Sequence, residues 1–262
     1  MFANANYRIT QANHQGTTLV ELILAMTFGL LIISLLWSMH LASQQNWRLQ
    51  QALYHLQDNA SSALSILESE ITKAGHIGCA ALTNDFPLIS DPPGLLTVQN
   101  KLTSSNHEFT VRYADLPAAT LNRMNEDRSI LYVDGAVHFA AKNWLMIADC
   151  QHAEIFQIEK SVIRHHQQAL HLSHSLHSQF SAGAEVGKFK INRYFIAKTK
   201  RRNQDNLPIY ALFMTDINHR KIELVENIQQ MQISIDRGLM LDLEVIAPPL
   251  KKHWYGWANY AK

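Results

Sequence analysis

The sequence predicts an α+β chain in which one long N-terminal helix, apolar in its first half, packs on a mostly antiparallel β-sheet. Three observations carry this prediction. Residues 22–41 contain no Asp, Glu, Lys or Arg, and an amphipathic stripe of apolar residues continues from there to Ala74. After Gly75 and Gly78, the chain turns to short segments that alternate apolar with polar residues. Such alternation is typical of strands in a sheet with one solvated face.

The apolar segment has the length of a membrane span. Its twenty residues rise about 30 Å as a helix, which is the thickness of the hydrocarbon core of a bilayer. A secretory signal peptide has a shorter apolar region with a small-residue cleavage site at its far end, whereas this one continues into helix-forming sequence. We therefore expect a retained, single-pass membrane helix. Its orientation is not decided by the positive-inside rule, because Arg8 before it balances Arg48 after it.

One carboxylate, Glu21, stands at the start of this span, five residues after Gly16 and a polar leader. An ionisable group costs about 2.5 to 3.5 kcal/mol at the centre of a membrane helix and less near its end, so its presence indicates a function. The alternative is a solvated acid at the edge of the membrane.

The stripe beyond the span predicts that the helix continues. Its apolar residues follow each other at steps of four and three: Leu49, Leu53, Leu56, Ala60, Leu64, Leu67, Ile71 and Ala74. No proline or glycine interrupts them before Gly75, so we expect one helix over residues 17–74. A free coiled-coil stalk could show the same stripe but would usually carry opposite charges beside its seam. Those charges are sparse here, which favours packing against a sheet.

Ten later segments are predicted as strands because they are rich in apolar and β-branched residues. They are residues 108–113, 130–133, 144–149, 154–163, 169–172, 188–198, 209–214, 222–225, 231–236 and 240–246. Residues 87–94 and 200–208 are predicted loops, rich in proline, asparagine or basic residues. The strands form one globular domain of about 185 residues, without an internal repeat.

Two cysteines, Cys79 and Cys150, lie beyond the span without a C-x-x-C pair or zinc-binding spacing. A single disulfide is the economical interpretation, and two unpaired buried thiols are the alternative. The disulfide would close a loop of about 70 residues, worth roughly 4 kcal/mol in the chain-entropy model. It would also indicate an oxidising compartment.

The sequence contains no anchor for an enzyme mechanism. Neither a nucleophile elbow, a phosphate-binding loop, a dinucleotide-binding glycine triplet nor an H-E-x-x-H motif occurs. Five histidines crowd one stretch, where an exposed hairpin is favoured over a metal site: His165, His166, His171, His174 and His177. We therefore expect no catalytic residue, no metal and no cofactor.

Charge and aromatic residues point weakly to partners. The formal net charge is +1, which does not indicate broad attraction to nucleic acid. The basic run at residues 198–202 is predicted to be a solvated loop, with contact to phosphates or to an acidic partner as the alternative. Trp254, Tyr255, Trp257 and Tyr260 crowd the C-terminus. A tail that docks on the domain is favoured there, and a partner contact is the alternative.

The N-terminal motif resembles the class III leader of type IV pilins and pseudopilins, in which a glycine precedes F-T-L-[VI]-E. Here it reads Gly16-Thr17-Thr18-Leu19-Val20-Glu21. Further similarity to PilW-like minor pilins covers most of the chain. It includes Arg48-Leu49-Gln50, Ala74-Gly75-His76-Ile77-Gly78-Cys79, Trp144-Leu145-Met146-Ile147-Ala148-Asp149-Cys150, Ala153-Glu154-Ile155-Phe156-Gln157, Tyr194-Phe195-Ile196, Pro208-Ile209-Tyr210-Ala211-Leu212 and Glu223-Leu224-Val225-Glu226.

This resemblance implies a type IV pilin-like fold and a role in pilus assembly. A prepilin peptidase would cut between Gly16 and Thr17 on the cytoplasmic side and methylate the new amino group of Thr17. Glu21 would meet the N-terminal amine of a neighbouring subunit, which compensates its charge. The Cys79–Cys150 pair would lie in the periplasmic domain.

The implied organisation has four parts. Residues 1–16 form the leader, 17–42 the membrane-spanning and fibre-core half of the helix, 43–75 its amphipathic half, and 76–262 a β-rich periplasmic domain. The implied location is the bacterial inner membrane, and then the pilus. Implied partners are other minor pilins, the major pilin, the prepilin peptidase and the pilus assembly platform, whereas nucleic acid is not indicated.

Two departures from the family pattern stand out. Thr17 replaces the usual phenylalanine, and a short tail follows Pro248 and Pro249 where the family usually closes with a further hydrophobic strand. Two other functions remain open. A J-like pseudopilin of a type II secretion system would share the leader, Glu21 and the fold. A periplasmic enzyme held by an uncleaved signal anchor would keep its residues 1–16.

Overall fold

The computed structural model describes residues 19–105, 107–164, 167–203, 206–234, 239–247 and 250–258. Within these residues the chain forms one α-helix, α1 (Leu19–Thr72), followed by strands in two sheets. The strands are β1 (Leu88–Ser90), β2 (Leu102–Ser105), β3 (Glu108–Met124), β4 (Ile130–Asp134), β5 (Trp144–Ala148), β6 (Ala153–Arg164), β7 (Gln167–Leu172), β8 (Glu185–Arg202), β9 (Pro208–Thr215), β10 (Lys221–Glu226), β11 (Ile228–Ser234), β12 (Leu239–Ala247) and β13 (Leu250–Ala258).

The α+β class predicted from the sequence is therefore confirmed: one long, apolar N-terminal helix precedes a large antiparallel sheet. The chain divides into two compact units, residues 1–51 and 52–262. The described part of the first unit is the helix from Leu19 to Gln51. The second unit contains the rest of α1 and all the described strands.

The helix ends where the sequence places glycine. Two tightened backbone bonds, from Lys73 to Glu70 and from Ala74 to Ile71, close its last turn. Gly75 follows in a left-handed conformation with φ of 76°, which a residue with a side chain adopts at a cost. Helix α1 thus ends at Thr72, two residues before the predicted end at Ala74.

The larger sheet contains ten strands in the order β10-β9-β8-β5-β6-β7-β4-β3-β2, and β1 pairs in parallel with β6. All other pairs in it are antiparallel. Strand β3 also pairs with β8 from Glu108 to Thr120, so β3, β4, β7, β6, β5 and β8 close into a ring. The second sheet contains β11, β12 and β13.

The ring has its own apolar core. Alternate residues of its strands point inward, as the burial of Leu131 and Val133 on β4 illustrates. Residues 173–184 contribute Leu176 and Phe180 to the same cluster, so this loop fills the ring together with the strands. The ring is thus a packed core and is lined mainly by buried apolar side chains.

A second core joins α1 to both sheets. The buried helix residues are Leu56, Ala60, Ala63, Leu67 and Ile71. They belong to one cluster with residues of the larger sheet, such as Phe109 and Leu212, and of the smaller sheet, such as Met231 and Leu243. Two residues of the predicted stripe, Leu49 and Leu53, do not belong to this cluster.

Leu49 and Leu53 are exposed, at 40 % and 37 %. The stripe prediction is therefore wrong at its start, because the buried residues of the helix begin only at Leu56. Spacing alone reveals which residues share a helix face but not where a partner surface begins.

Each predicted strand segment coincides with a strand where the structure describes it, but several strands are longer. Strand β3 continues to Met124 through Pro117, where its pairing with β8 shifts register between Asp115 and Ala119. A proline is uncommon within a central strand, and here it coincides with this interruption of the pairing. The short strands β1 and β2 were not predicted either.

The expectation of a loop at residues 198–202 is wrong. Strand β8 extends to Arg202. Its residues 193–198 and Arg202 pair with β9, with a register shift between Lys198 and Arg202. The basic side chains are accommodated because they reach other groups: Arg201 forms ion pairs with Glu223 and Glu226 on β10. The ammonium of Lys198 lies 5.8 Å from the ring centre of Tyr210.

The C-terminal expectation is also corrected. The predicted short tail is strand β13. It pairs with β12 over the full length of both strands, from Ala247 opposite Leu250 to Leu239 opposite Ala258. Trp254 packs against the helix cluster, and Gly256 approaches α1 so closely that a Cβ would lie 2.7 Å from a side-chain atom of Leu64. A final strand is therefore present after residues 248–249, and Tyr260 lies outside the described residues.

Candidate functional surfaces

The first half of α1 is an exposed apolar surface. Leu19 is 73 % exposed and Trp37 64 %, and an 18-residue window of the helix has a mean hydropathy of 2.5 with none of it buried. The hydroxyls of Thr27, Ser34 and Ser38 each donate to the carbonyl three residues earlier, at 2.8 to 2.9 Å. These polar groups are satisfied within the helix, as an apolar surrounding demands. By length and composition, α1 can cross a membrane.

Glu21 lies in the first described turn of α1, with an exposed side chain. A negative charge at this end of a helix is favoured by the positive end of the helix dipole. Its position therefore suits a carboxylate that meets a cation near the N-terminus. Gly16 and Thr17, the predicted cleavage and methylation residues, lie outside the described residues.

The disulfide that the cysteine pattern favoured is present. Cys79 and Cys150 have Cα atoms 5.4 Å apart and are separated by 71 positions in the chain. The bond joins the segment after α1 to the end of β5. The same segment is held by two backbone bonds to β3, from Gly75 to Arg112 and from Ala114 to His76, both at 2.8 Å. The exit of the helix is thus fastened to the sheet by three separate links.

Glu70 is a polar hub between α1 and the larger sheet. Its carboxylate accepts hydrogen bonds from Tyr113 (3.1 Å), Asn192 (2.9 Å), Tyr194 (2.8 Å) and Lys73 (2.9 Å). The side chain is only 14 % exposed. Four donors around one carboxylate compensate most of what its charge loses on leaving water.

The hub shifts the titration of its members. Burial alone would raise the pKa of Glu70, but hydrogen bonds from Lys73, Asn192 and Tyr194 outweigh it and hold that pKa below its ordinary value. Burial and the negative charge of Glu70 raise the pKa of Tyr113 and of Tyr194. Both phenols therefore remain protonated donors at neutral pH.

Sequence reasoning did not single out Glu70, although a signal exists. Glu70 stands three residues after Leu67 and seven after Ala63, which places it on the buried face of the helix. A carboxylate at such a position needs partners in the surface that it faces. The identity of those partners could not be read from the helix.

A groove beside the hub has a volume of about 510 Å³. We call it the β10 groove. One side is α1, through Ile66 and Glu70, and the other is β10, through Ile222 and Leu224. Met214 of β9 also lines the groove. The groove is therefore apolar along β10, with the Glu70 hub in its wall.

The crowded histidines are separated by the fold. His174 contacts Asp91 at 3.3 Å, and His177 contacts Glu154 at 2.9 Å, whereas His171 lies on β7. His165 and His166 lie outside the described residues. Among all the residues that the structure describes, no three His, Cys, Asp or Glu side chains are grouped so that they could hold a metal ion.

Glu154 has a structural explanation. Its carboxylate is almost completely buried, and it accepts the backbone N–H groups of His177 and Ser178 at 2.9 and 3.1 Å. These bonds fix the loop whose Leu176 enters the core of the ring. Glu154 therefore holds the loop that fills the ring, and it needs no ligand to account for its burial.

Comparisons of the chain with models of protein families, with curated proteins and with solved structures find no match. A functional proposal therefore depends on the chain's own residues and geometry. Two surfaces stand out in the described part of the chain: the exposed apolar helix with Glu21 near its start, and the β10 groove.

Proposed function

We propose that the chain is a minor pilin of a type IV pilus, a structural component that helps prime or cap pilus assembly. The observation that carries this proposal is the run from Gly16 to Glu21, which has the pattern of a prepilin cleavage motif and whose last three residues lie in the first turn of an apolar helix. In this proposal a prepilin peptidase cuts between Gly16 and Thr17, and Thr17 becomes the methylated N-terminus.

The exposed half of α1 supports the proposal. Its apolar side chains need an apolar environment, which the inner membrane supplies before assembly and neighbouring helices supply afterwards. Glu21 then has a physical role, because a carboxylate within an apolar bundle is retained where an amine of another subunit compensates it. The partners are accordingly other minor pilins and the major pilin.

The second unit supports a position outside the cytoplasm. Its Cys79–Cys150 disulfide fits an oxidising compartment such as the periplasm. The amphipathic end of α1 packed on antiparallel strands is an arrangement compatible with a type IV pilin-like fold. The chain therefore acts by assembly, through its helix and its folded domain.

Mass spectrometry of the membrane-extracted protein tests the proposal. In cells with active prepilin peptidase, the mature chain is expected to begin at Thr17 and to carry a methylated amine. Gly16→Ala is expected to retain residues 1–16, whereas the control Gly29→Ala, also a glycine near the N-terminus, is processed normally. Wild-type protein that keeps its leader contradicts the proposal and favours a signal-anchored protein.

A second experiment tests the role of Glu21. Glu21→Ala is expected to be cleaved normally but to co-purify poorly with other pilins, because the carboxylate acts after processing. Asp58→Ala removes an exposed carboxylate from the same helix and is expected to assemble normally. Deletion of the gene should abolish twitching. Loss of protein secretion instead would assign the chain to a type II secretion pseudopilus.

A further inference from the structure

The Cys79–Cys150 disulfide lies at the surface of the second unit. Both cysteines are exposed. Ile77 and Ala148, which stand two residues before them, are buried at 0 % and 1 % exposure. The core therefore ends just before each cysteine. A thiolate in solution can reach such a bond in the folded protein, and exposed disulfides belong to the class that is reduced more readily.

Cys150 is positioned by hydrogen bonds that do not depend on the disulfide. It lies in the turn between β5 and β6. The carboxylate of Asp149 accepts the backbone N–H groups of Gln151 and His152, both at 2.8 Å. The N–H of Asp149 donates to the carbonyl of His152 at 3.0 Å, and the two strands pair up to this turn. The turn is therefore expected to keep its shape when the disulfide is open.

Cys79 is positioned in a similar way. The segment before it is held to β3 by the two backbone bonds of Gly75 and His76 described above. Ile77 enters the same buried cluster as Met146 of β5. The two cysteines, whose Cα atoms lie 5.4 Å apart, are thus held as neighbours by contacts other than the disulfide. Two thiols held close together have a high effective concentration toward each other, so the bond closes again without refolding of the domain.

Residues 80–86 form a loop that depends more on the disulfide. No backbone hydrogen bond joins this loop to another part of the chain that the structure describes. Apart from the disulfide, it is attached by a hydrogen bond from the amide of Gln99 to Asn84 at 3.0 Å and by three partly buried side chains: Ala80, Leu82 and Phe86. The disulfide fixes one end of the loop and β1 fixes the other. Opening of the disulfide therefore leaves a weakly held segment.

We propose that the Cys79–Cys150 disulfide is a thiol–disulfide exchange site of the folded protein, at which a dithiol reduces the bond and releases residues 80–86. A dithiol is specified because the two cysteines stay close. In a mixed disulfide with a monothiol, the freed cysteine attacks back and expels the monothiol, whereas the second thiol of a dithiol completes the reduction. The inference concerns the folded domain and does not depend on a role in pilus assembly.

The exchange balances in two steps. A thiolate of the dithiol attacks one sulfur of the bond, which forms a mixed disulfide and expels the other cysteine as a thiolate. The second thiol of the dithiol, as a thiolate, then attacks the reagent's own sulfur in that mixed disulfide and expels the remaining cysteine. Two electrons and two protons thus pass from the dithiol, which becomes a disulfide, to Cys79 and Cys150.

Reduction kinetics of the full-length protein in detergent micelles test the proposal. Dithiothreitol is the dithiol probe, and free cysteines are alkylated and counted by mass spectrometry. The folded protein is expected to be reduced at most about a hundredfold more slowly than the protein unfolded in urea. Reduction that requires global unfolding is at least about a thousandfold slower, because about one molecule in a thousand or fewer is unfolded. Urea below its unfolding range should leave the rate unchanged.

Mercaptoethanol at equal thiol concentration is the monothiol probe. It is expected to leave the disulfide of the folded protein largely intact but to open it in the protein unfolded in urea, where the two cysteines are no longer held together. Hydrogen exchange measured by mass spectrometry follows the structural change. After reduction by dithiothreitol, residues 80–86 are expected to exchange faster, while peptides from β3 and β8 keep the exchange rates of the oxidised protein.

Asp149 provides a matched set of variants. Asp149→Ala removes the acceptor that holds the turn of Cys150 and is expected to shift the equilibrium with dithiothreitol about fivefold toward the reduced protein, the effect of about one net hydrogen bond. Asp149→Asn keeps an acceptor oxygen and should behave like wild type. Asp216→Ala is the control, because that carboxylate accepts the N–H groups of Asn218 and Arg220 in the turn before β10. It is expected to leave the equilibrium unchanged.

Three results would overturn the proposal: a reduction rate that rises with urea, complete reduction of the folded protein by mercaptoethanol, or unchanged hydrogen exchange of residues 80–86 after reduction. Each of these measurements uses the wild-type chain, so each remains decisive if an Asp149 variant folds poorly. A protein that fails them but is cleaved after Gly16 and assembles would leave the pilin role standing.

Discussion

Removal of the Glu70 carboxylate is expected to loosen α1 from the larger sheet. Glu70→Ala leaves the hydroxyls of Tyr113 and Tyr194 and the amide of Asn192 without their acceptor. Each lost bond to a charged group, or each buried donor left unpaired, costs about 1 to 3 kcal/mol. The open β10 groove admits water to these groups, so we take about 1 kcal/mol for each.

The expected loss is therefore about 3 kcal/mol in the free energy of unfolding, or roughly 6 to 12 °C in Tm for a domain of this size. Thermal unfolding of the full-length protein in detergent, followed by near-ultraviolet circular dichroism, measures it. Asp58→Ala is the control, because it removes an exposed carboxylate from the same helix and is expected to change Tm little.

A double-mutant cycle separates the hub from a general effect on the helix. Tyr194→Phe alone is expected to cost about 1 kcal/mol, but in the Glu70→Ala background it should cost nothing, because it removes a donor already without its acceptor. Additive effects of the two substitutions, or a Glu70→Ala variant as stable as wild type, would refute the reasoning.

The hub also predicts an acid dependence. Because the pKa of Glu70 is below its ordinary value of 4.5 in the folded protein, its charged form contributes stability above pH 4.5. That contribution is lost as the pH falls through the lower pKa of the folded state. Tyr113 and Tyr194, whose pKa values are raised, remain neutral throughout. Unfolding between pH 7 and pH 3 should therefore show a smaller loss of stability in Glu70→Gln than in wild type.

Two further predictions concern the disulfide and one glycine. Replacement of both Cys79 and Cys150 by serine is expected to lower the free energy of unfolding by about 2 to 4 kcal/mol, since the bond closes a long loop; denaturant unfolding measures it, and an unchanged midpoint would contradict it. Gly187→Ala is expected to cost about 1 to 3 kcal/mol, because a Cβ there would overlap the backbone oxygen of Asp115. Thermal unfolding beside Gly29→Ala, whose Cβ meets open space, checks this, and equal Tm values for the two variants would contradict it.

Much of the local structure could be predicted from residue patterns. The course of the described helix and its end follow from an apolar run, a stripe at helical spacing and the glycine at position 75, whereas its predicted start at residue 17 lies outside the described residues. The central residues of most strands could be predicted from the alternation of apolar and polar residues. These signals succeed because each depends on residues close together in the chain.

The errors occur where distant residues decide the outcome. The basic end of β8 is a strand because β9 pairs with Lys198 and Arg202, and the exposed Arg201 reaches two glutamates on β10. Strand β13 forms because β12 offers it an edge, and Gly256 lets it approach α1. Leu49 and Leu53 are exposed because the surface that covers the helix starts at Leu56. No local pattern contains these facts.

The sequence by itself determined the apolar span, the single carboxylate near its start, the α+β class and the cysteine pair, because hydropathy, periodicity and composition are properties of short segments or of the chain as a whole. Only the tertiary structure decided the closed ring, the Glu70 hub and the β10 groove. The hub illustrates the reason: Glu70 and Tyr194 are 124 positions apart, and a hydrogen bond between them exists only once the sheet has brought them together.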